Sequence, residues 1–432
     1  MKRAKHESEA NVAILDKELR RRWRLGMRPG LERIRAVLGR LGDAGPATRI
    51  LVAGTNGKGS TATFLDAVLR AHGVATGLYT SPHLVSAAER IRVDGVPVDD
   101  ARVGPALAAV AEAEVAEEME LTGFEWITAV AVEVFRAAAP PCWILEVGLG
   151  GRLDATNACD PDLSIITPVG LDHTDLLGDS LAAVAREKAG ILRPGRVVFL
   201  AAQAPEADAA LASAAAEIHA APVLREGPDW RWRWDREDEA LSWEGPGGLA
   251  VGPVRPGLAG RHQGGNAALA LAAAAQLLPG LTGQPLDPAS AARGIANARL
   301  AGRFQEVLVG GRRVLLDVAH NPHGVAALAA SYRARWGRCP AALVALKDDK
   351  DAAGVLACLA ALTDHLVCCP LPGVAHHSPE ALVRACPGPA TAEAASSPMA
   401  GIERLPVVAS GTRPPLVCGS HFLVGHFLGI AD

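Results

Sequence analysis

A glycine-rich loop at residues 54–60 constrains the fold of this chain more than any other feature. The apolar residues 50–53 before it predict a buried strand, and residues 61–71 after it, with one apolar face, predict a helix. A loop in this position directs backbone N–H groups at an anion, and the start of the helix adds partial positive charge. An ordinary glycine turn is the alternative, but the strand and helix around the loop favour a phosphate-binding loop in an α/β protein.

The side chains of the loop suit the same purpose. Lys58 is placed to reach the outer phosphates of a nucleotide, and Ser60 is placed to contact a bound cation. In the standard P-loop the lysine is followed directly by the hydroxyl residue, whereas here Gly59 separates the two. The loop therefore predicts nucleotide binding with an unusual spacing of lysine and serine.

Apolar runs that predict strands alternate with helical patterns along the chain, which indicates mostly parallel sheets. We place a domain boundary near residue 296, after a turn-rich stretch, which gives domains of residues 1–296 and 297–432. Residues 373–413, rich in Pro, Ala and Ser, are expected to form small surplus loops. The further predicted strands are residues 144–147, 164–166, 197–200, 314–316, 343–345 and 366–368.

Composition argues against several partners. A formal net charge of -4 gives no electrostatic reason to bind nucleic acid or an anionic membrane. The most apolar stretch, residues 267–278, is too short to span a bilayer, and residues 1–7 do not begin a secretion signal. The 8 cysteines show no metal-binding spacing, so we expect a cytoplasmic protein with reduced thiols.

Three tryptophans, Trp230, Trp232 and Trp234, alternate with arginines. Aromatic and basic residues together can bind single-stranded nucleic acid. A period of two is also typical of one packed face of a hairpin strand, and nearby acidic residues cancel the positive charge. The pattern favours the structural interpretation.

Three ionisable residues are candidates for chemistry. Glu146 ends a predicted strand, where a carboxylate can hold a cation against a phosphate or simply form a surface ion pair. His173 is either a metal ligand or, more commonly for a lone histidine, a structural or capping residue. Lys188 lies on a helix that Asp179 or Ser180 can cap, and a lysine in such a place is usually solvated.

Taken together, the motifs resemble folylpolyglutamate synthase and the related dihydrofolate synthase, within the Mur ligase superfamily. Their order and spacing carry the resemblance, which runs from about residue 25 to the end of the sequence. It implies a P-loop, mostly parallel-sheet ATPase domain followed by a smaller, Rossmann-like α/β C-terminal domain. The motifs are residues 54–60, Tyr79–Leu84, Glu89–Ile91, Glu146–Asn157, Leu171–Asp175, Glu187–Ile191, Gly302–Phe304, Asp317–His323 and Gly419–Ser420.

The resemblance also implies a reaction. ATP phosphorylates a carboxylate of the pteroyl substrate, the amine of L-glutamate attacks the acyl phosphate, and phosphate leaves. The implied substrates are ATP, L-glutamate and either folate or dihydropteroate, with Mg²⁺ as cofactor, in a monomer. Because two anions must meet during phosphorylation, cations are needed to screen them.

Residue roles follow from the matched motifs, as the resemblance implies them. Lys188, as a carbamylated lysine, His173 and Lys58 are the catalytic residues. The metal ligands are Ser81, Glu146 and His173. The ATP contacts are Gly57, Lys58, Gly59, Ser60, Asn266, Arg303 and Asp317, with His320 nearby. The pteroyl group lies near Phe124, Glu125, Leu153, Asp154 and Ala155.

Two departures from the family pattern stand out. The family often has Asp-Leu-Gly in a loop that helps to hold dihydropteroate, whereas this chain has Arg28-Pro29-Gly30, so the departure bears on dihydropteroate use more than on chain extension. Val318 stands where glycine is common. The alternatives left open are another amino-acid ligase of the Mur superfamily and a regulatory P-loop protein without ligase chemistry.

Overall fold

The predicted strand before the glycine-rich loop lies inside an eight-stranded sheet of the order β4-β3-β2-β5-β1-β6-β7-β8. Six of these strands run parallel, and β3 and β4 form an antiparallel edge beside β2. The strands are β1 (Thr48–Ala53), β2 (Thr76–Tyr79), β3 (Ile91–Val93), β4 (Val96–Pro97), β5 (Cys142–Glu146), β6 (Leu163–Ile166), β7 (Val197–Leu200) and β8 (Val223–Arg225). The computed structural model describes residues 14–42, 45–388, 390–409 and 411–431.

Helices cover this sheet, and the apolar residues between helices and strands form its core. Two longer helices, α4 and α5, pack against each other, and α7 packs against α8. The helices of this part are α1 (residues 14–23), α2 (Glu32–Leu41), α3 (Lys58–Ala71), α4 (Asp100–Ala116), α5 (Gly123–Ala138), α6 (Thr174–Leu177), α7 (Leu181–Ala189), α8 (Pro205–Glu217), α9 (Arg261–Thr282) and α10 (Pro288–Asn297). Short 3₁₀ turns lie at Ala87–Arg90, Ala155–Cys159 and Pro246–Gly248.

The helix after the glycine-rich loop begins earlier than predicted, at Lys58 rather than residue 61. The reason is Gly57, whose φ of 89° lets the chain turn directly into the first helical residue. The apolar stretch at residues 267–278 also belongs to a longer element, the 22-residue α9. By length and composition α9 is the one helix among the described residues that could cross a membrane, but 67% of its apolar window is buried inside the protein.

The alternating tryptophans lie on or just before β9, in a small three-stranded sheet. Its strands are β9 (Arg231–Asp235), β10 (Ala240–Glu244) and β11 (Ala250–Val254). Trp230, just before β9, is buried, and its ring centroid lies 5.7 Å from that of Phe199. Trp232 and Trp234 are half-buried on β9, and the arginines between them are exposed. The prediction of one packed strand face is confirmed.

The C-terminal part has its own six-stranded sheet, β12-β13-β17-β14-β15-β16, parallel except for the antiparallel hairpin of β12 and β13. Its strands are β12 (Gln305–Val309), β13 (Arg312–Leu316), β14 (Ala342–Val344), β15 (His365–Cys368), β16 (Thr391–Ala394) and β17 (Leu416–Cys418). Its helices are α11 (Pro322–Trp336), α12 (Ala352–Ala360), α13 (Pro379–Ala385), α14 (Pro398–Arg404) and α15 (His421–Leu428). Both predicted sheets are therefore confirmed.

The expectation of surplus loops at residues 373–413 is wrong, because α13, β16 and α14 lie there. Both helices begin at a Ser-Pro pair, in which the serine side chain caps the helix and proline fills its first position. These start signals are local and readable, but the Ala-rich composition around them obscured the short elements.

The described residues divide into two units. One holds the described parts of residues 14–233, 241–254 and 265–298, and the other holds residues 234–240, 255–264 and the described parts of 299–431. The division at residue 296 stays a prediction, and residues 1–13, which bear on a secretion signal, lie outside the described residues.

Candidate active site

The glycine-rich loop follows a tight path that side chains would obstruct. A Cβ atom at Gly54, whose φ is 142°, would lie 1.8 Å from the Thr167 hydroxyl oxygen. A Cβ atom at Gly57 would lie 2.4 Å from Oδ1 of Asn266, so the side chain of Asn266 lies directly on the loop. Glycine is required at both positions because of the positive φ and because of these close neighbours.

Two lysines converge on one carbonyl group of this loop. The Nζ atom of Lys58 donates to the carbonyl oxygens of Gly54 and Thr55, both at 3.1 Å. The Nζ atom of Lys188, which comes from α7, donates to the same Gly54 oxygen at 2.9 Å. The loop therefore holds the amino groups of two lysines close together.

Lys188 is buried, with 3% of its surface exposed, so the local expectation of a solvated lysine is wrong. The prediction of a capped helix around Lys188 is confirmed. Ser180 caps α7, because its side chain accepts a hydrogen bond from the Ala183 N–H. Burial, and then the positive charge of Lys58, lower the pKa of Lys188 to about 7. A large neutral fraction at physiological pH makes this amine nucleophilic, unlike a surface lysine.

Glu146 and Ser81 meet beside the loop. The Glu146 carboxylate is buried and accepts the Ser81 backbone N–H at 2.8 Å. A Cβ atom at Gly59 would lie 3.1 Å from its Oε2, so the carboxylate faces the loop backbone directly. The surface ion pair considered above is therefore wrong for Glu146. A carboxylate next to a phosphate-binding loop would repel the phosphate unless a cation lay with them, and hard oxygen donors suit Mg²⁺.

His173 lies at the N-cap position of α6 with a φ of 51°, but its side chain makes no capping hydrogen bond. Its backbone N–H donates to the Asp172 carboxylate at 2.9 Å, and its Nε2 lies 3.9 Å from the same oxygen. Among residues 14–42, 45–388, 390–409 and 411–431, no three His, Cys, Asp or Glu side chains are grouped to hold a metal ion. The set of Ser81, Glu146 and His173 as metal ligands stays a prediction.

Two carboxylates of the predicted pteroyl site have internal partners. Asp154 is buried and accepts hydrogen bonds from the N–H groups of Gly148, Leu149 and Thr156 and from the Thr156 hydroxyl, at 2.6–3.0 Å. Burial raises the pKa of the Asp154 carboxyl against the opposing effect of these hydrogen bonds. Glu125 accepts from the backbone and hydroxyl of Thr122, which caps α5. Both carboxylates order their own turns.

The other three residues of the predicted pteroyl site are apolar. Leu153 is 38% exposed, Ala155 is buried, and Phe124 is half-buried. The Phe124 ring packs over Gly148, where a Cβ atom would lie 2.5 Å from Cζ. The sequence alone did not indicate Trp23, whose ring packs on Gly123 beside Phe124 and is 45% exposed.

Backbone contacts join the loop before Asp154 to the helix that carries Lys188. A Cβ atom at Gly151 would lie 2.9 Å from the Lys188 carbonyl oxygen, and one at Gly190 would lie 2.4 Å from the Arg152 Cα. The Asn157 amide donates to the carbonyl oxygens of Arg152 and Gly190, both at 3.0 Å. These glycines let loop and helix touch backbone to backbone.

The remaining predicted ATP contacts lie in the C-terminal part. Asp317 follows β13 and accepts the N–H groups of Phe304 at 2.9 Å and Ala319 at 2.8 Å. Arg303 is half-buried, and His320 Nδ1 lies 2.9 Å from the Val318 carbonyl oxygen. Asp317 thus lies at the carboxyl end of a parallel strand, where α/β proteins bind ligands.

Comparison with known proteins identifies the class. Residues 52–274 match the Mur ligase middle domain, and residues 302–421 match the glutamate ligase domain of Mur ligases. The chain is thus a Mur-type ligase. It is 37% identical over 414 residues to the dihydrofolate synthase/folylpolyglutamate synthase of Escherichia coli, covering 93% of this chain and 91% of that protein. The chain belongs to the dihydrofolate synthase/folylpolyglutamate synthase family.

Solved structures of the family match nearly the whole length of the chain. Escherichia coli FolC in complex with DHPP and ADP has a TM-score of 0.84 at 34% identity, covering 96% of this chain and 97% of that one. A bifunctional folylpolyglutamate synthase/dihydrofolate synthase with Mn, AMPPNP and L-glutamate bound has a TM-score of 0.82 at 33% identity, with the same coverage. Both structures hold a nucleotide, and the second also holds a divalent metal.

Proposed function

We propose that this chain is an ATP- and magnesium-dependent ligase that joins L-glutamate to a folate, and also to dihydropteroate, through an acyl phosphate. The observation that carries the proposal is the arrangement around the glycine-rich loop. Lys58 and Lys188 share the Gly54 carbonyl, and the buried Glu146 carboxylate faces Gly59. Such a site supplies a cation, Lys58, and a carboxylate that can hold a metal ion, and phosphoryl transfer needs both.

The proposed reaction has two steps. A substrate carboxylate oxygen attacks the γ-phosphorus of ATP, and the bond to ADP breaks. The neutral amine of glutamate then attacks the acyl carbon, phosphate leaves with the bonding electron pair, and the amine loses a proton. Because hydroxide is a poor leaving group, the phosphate is what makes the carboxylate reactive toward an amine.

Lys58 and the loop backbone would hold the phosphates in this reaction. The Lys58 ammonium now donates to two carbonyl oxygens, Gly54 and Thr55, and it would exchange them for phosphate oxygens. The first turn of α3, which includes Gly59 and Ser60 and follows Gly57, adds N–H groups and partial positive charge. Mg²⁺, when bound, would neutralise phosphate charge, and Ser81, Glu146 and His173 are the residues proposed to hold it.

We also propose that Lys188 is carbamylated. The neutral amine attacks the carbon of CO₂, an N–C bond forms, and one proton leaves to solvent. Burial and the nearby Lys58 ammonium lower the pKa of Lys188 to about 7 and so favour the neutral amine that must react. The Lys58 ammonium would then stabilise the anionic product. The product replaces a cation by a carboxylate-like group, which suits a site that binds a metal ion.

The pteroyl group is proposed to lie against Phe124 and Leu153, beside Ala155 in the loop ordered by Asp154. Glu125 supports the neighbouring residues 28–30, since it pairs with Arg33 at 2.9 Å and Arg33 donates to the Arg28 carbonyl oxygen. Residues 28–30 are therefore the place to look for a preference between folate and dihydropteroate.

The proposed ATP contacts are completed by Asn266, whose side chain lies on the loop, and by Arg303 and Asp317 in the C-terminal part. We further propose a cytoplasmic monomer that needs no nucleic acid or membrane partner. The net charge of -4, eight cysteines that form no disulfide and the burial of α9 support this view.

The test is phosphate release by the purified protein with ATP, Mg²⁺ and L-glutamate, given tetrahydrofolate or dihydropteroate in parallel. We expect release only when glutamate and a pteroyl substrate are both present, with a product that is one glutamyl unit heavier by mass spectrometry. Release that ignores glutamate would favour a regulatory P-loop protein. Release with glutamate and a different acid, but with neither pteroyl compound, would favour another Mur-type ligase.

A separate experiment addresses Lys188. Protein incubated with ¹³C-labelled bicarbonate should give a carbamate signal in the ¹³C spectrum that is missing from Lys188→Ala. Short-chain carboxylic acids should partly restore the activity of Lys188→Ala by supplying the missing carboxylate. Full activity of Lys188→Ala without any addition would refute the proposed modification.

A further inference from the structure

The chain between β2 and the first 3₁₀ turn, residues 80–86, forms neither helix nor strand and is called the Ser81 segment below. Its N–H groups therefore need acceptors outside a regular ladder. Thr80 donates to the Arg90 carbonyl oxygen at 2.9 Å, and the Ser81 N–H donates to the Glu146 carboxylate at 2.8 Å. These two hydrogen bonds anchor the start of the segment.

One carboxylate, that of Glu89, holds the rest of the segment. Its Oε2 accepts the Leu84 N–H at 2.9 Å, and its Oε1 accepts the N–H groups of Val85 and Ser86, both at 2.8 Å. Hydrogen bonds to a charged acceptor are stronger than those between neutral groups. Because three successive N–H groups point at one carboxylate, the chain curves around Glu89, and Glu89 sets the path of the segment.

Helix capping explains only part of this arrangement. Glu89 is the third residue of the 3₁₀ turn that Ser86 caps, and its bond to the Ser86 N–H completes a capping box. The bonds to Leu84 and Val85 lie outside that motif, on the side of Ser81. The carboxylate therefore orders the segment in addition to starting the turn.

We propose that Glu89 is a positioning residue for the metal site, because it fixes the Ser81 segment and so keeps Ser81 beside Glu146. The inference deepens the proposed function and rests on it, since Ser81 and Glu146 are among the residues proposed to hold Mg²⁺. The affinity of a metal site depends on the hydrogen bonds that hold its ligands in place. Glu89 acts through Ser81 and does not itself bind the metal.

The experiment measures the affinity for Mn²⁺, by electron paramagnetic resonance, of the full chain saturated with ADP. Glu89→Ala should weaken Mn²⁺ binding about tenfold, and Glu89→Gln, which keeps one acceptor oxygen, should weaken it less. Hydrogen exchange of the metal-free protein should be faster across residues 84–86 in both variants. The affinity for ADP without metal should stay normal, because the glycine-rich loop is unchanged.

Two further variants separate positioning from other roles. Ser81→Ala removes the proposed ligand, so it should weaken Mn²⁺ binding but leave hydrogen exchange at residues 84–86 unchanged. Asp235→Asn is the matched control, since one oxygen of Asp235 accepts two backbone N–H groups, at 2.8 Å and 3.0 Å, in the turn between β9 and β10. It should change neither the Mn²⁺ affinity nor the exchange at residues 84–86.

Two results would overturn the proposal. Normal Mn²⁺ affinity in Glu89→Ala would mean that the carboxylate does not position the metal site. Equal loss of Mn²⁺ affinity and of metal-free ADP affinity would mean that Glu89 only supports the fold. Failure of the proposed function looks different, because Ser81→Ala would then bind Mn²⁺ normally, or the wild type would release no phosphate with glutamate and a pteroyl substrate.

Discussion

Lys58 and Lys188 donate to the same carbonyl oxygen, that of Gly54, at 3.1 Å and 2.9 Å. Neighbouring ammonium groups repel each other, so an arrangement like this favours the loss of one charge. Lys188 is the more buried of the two, and its pKa is lowered to about 7. The pair thus consists of one cation, which we propose binds phosphate, and one amine that can react.

Lys58→Ala should lower turnover at least about tenfold, because it removes a charge-assisted contact to phosphate of about 1.5–3 kcal/mol. Steady-state rates and ADP affinity measure the effect. Lys17→Ala removes an exposed lysine of α1 and should change neither quantity. Near-normal ADP affinity and turnover in Lys58→Ala would contradict the phosphate-loop assignment.

Lys188 should make stability depend on pH. Between about pH 7 and about pH 10 the unfolded chain keeps a proton that the folded chain has released, so the unfolding free energy rises with pH. The slope is at most about 1.4 kcal/mol per pH unit. Urea unfolding in CO₂-free buffer at pH 7 and 9 should show this rise in the wild type relative to Lys188→Met.

The control for that experiment is Lys17→Met, which should follow the wild type at both pH values. Parallel pH dependence of the wild type and Lys188→Met would mean that the lysine is charged in the folded protein over this range. The buried position would then have to be stabilised by something other than neutralisation.

Asp154→Asn should disturb the pteroyl site while sparing nucleotide binding. An amide nitrogen cannot accept hydrogen bonds, so some of the N–H groups that Asp154 now satisfies would lose their acceptor, at about 1–3 kcal/mol of stability. We expect a higher KM for folate and an unchanged KM for ATP. Asp160→Asn changes a nearby exposed carboxylate and should leave both constants alone.

A result in which Asp154→Asn raises the KM for ATP as much as that for folate would show that the turn supports the whole site. No change in either constant would show that the carboxylate is dispensable for ordering the turn.

Gly190→Ala should destabilise the protein and lower activity, because its Cβ would lie 2.4 Å from the Arg152 Cα. Gly39→Ala provides the matched comparison, since Gly39 lies in α2 with nothing within 4 Å of an added Cβ. That change should stabilise the protein by about 0.5–1 kcal/mol. Thermal unfolding of both variants is the measurement, and a silent Gly190→Ala would contradict the close contact.

Local sequence patterns predicted the strand and helices around the site. The strand before Gly54, the helix after it and the Ser180 cap of the Lys188 helix all follow from local patterns. The burial of Lys188 does not, because it depends on a contact with Gly54 that is remote in the chain. The same holds for Glu146, whose nearness to Gly59 and Ser81 appears only when parallel strands align.

The sequence patterns also failed to predict the short helices of the C-terminal part. Residues 373–413 were expected to be loops because alanine and proline dominate them, although Ser378 and Ser397 each cap a helix there. Short helices have little periodicity to detect, so capping residues are the better signal.

The glycines that join the Asp154 loop to α7 have a consequence for how substrate preference can evolve. Gly151 and Gly190 leave no room for a side chain between loop and helix, so any shift of that loop would also shift the Lys188 backbone. A preference for a different substrate can therefore arise by changing side chains that project from the loop, because such changes leave the loop backbone in place. Leu153, which is 38% exposed, is such a position. If the pteroyl group lies against Leu153 as we propose, variation at this residue would change which molecule is modified while the machinery that modifies it stays the same.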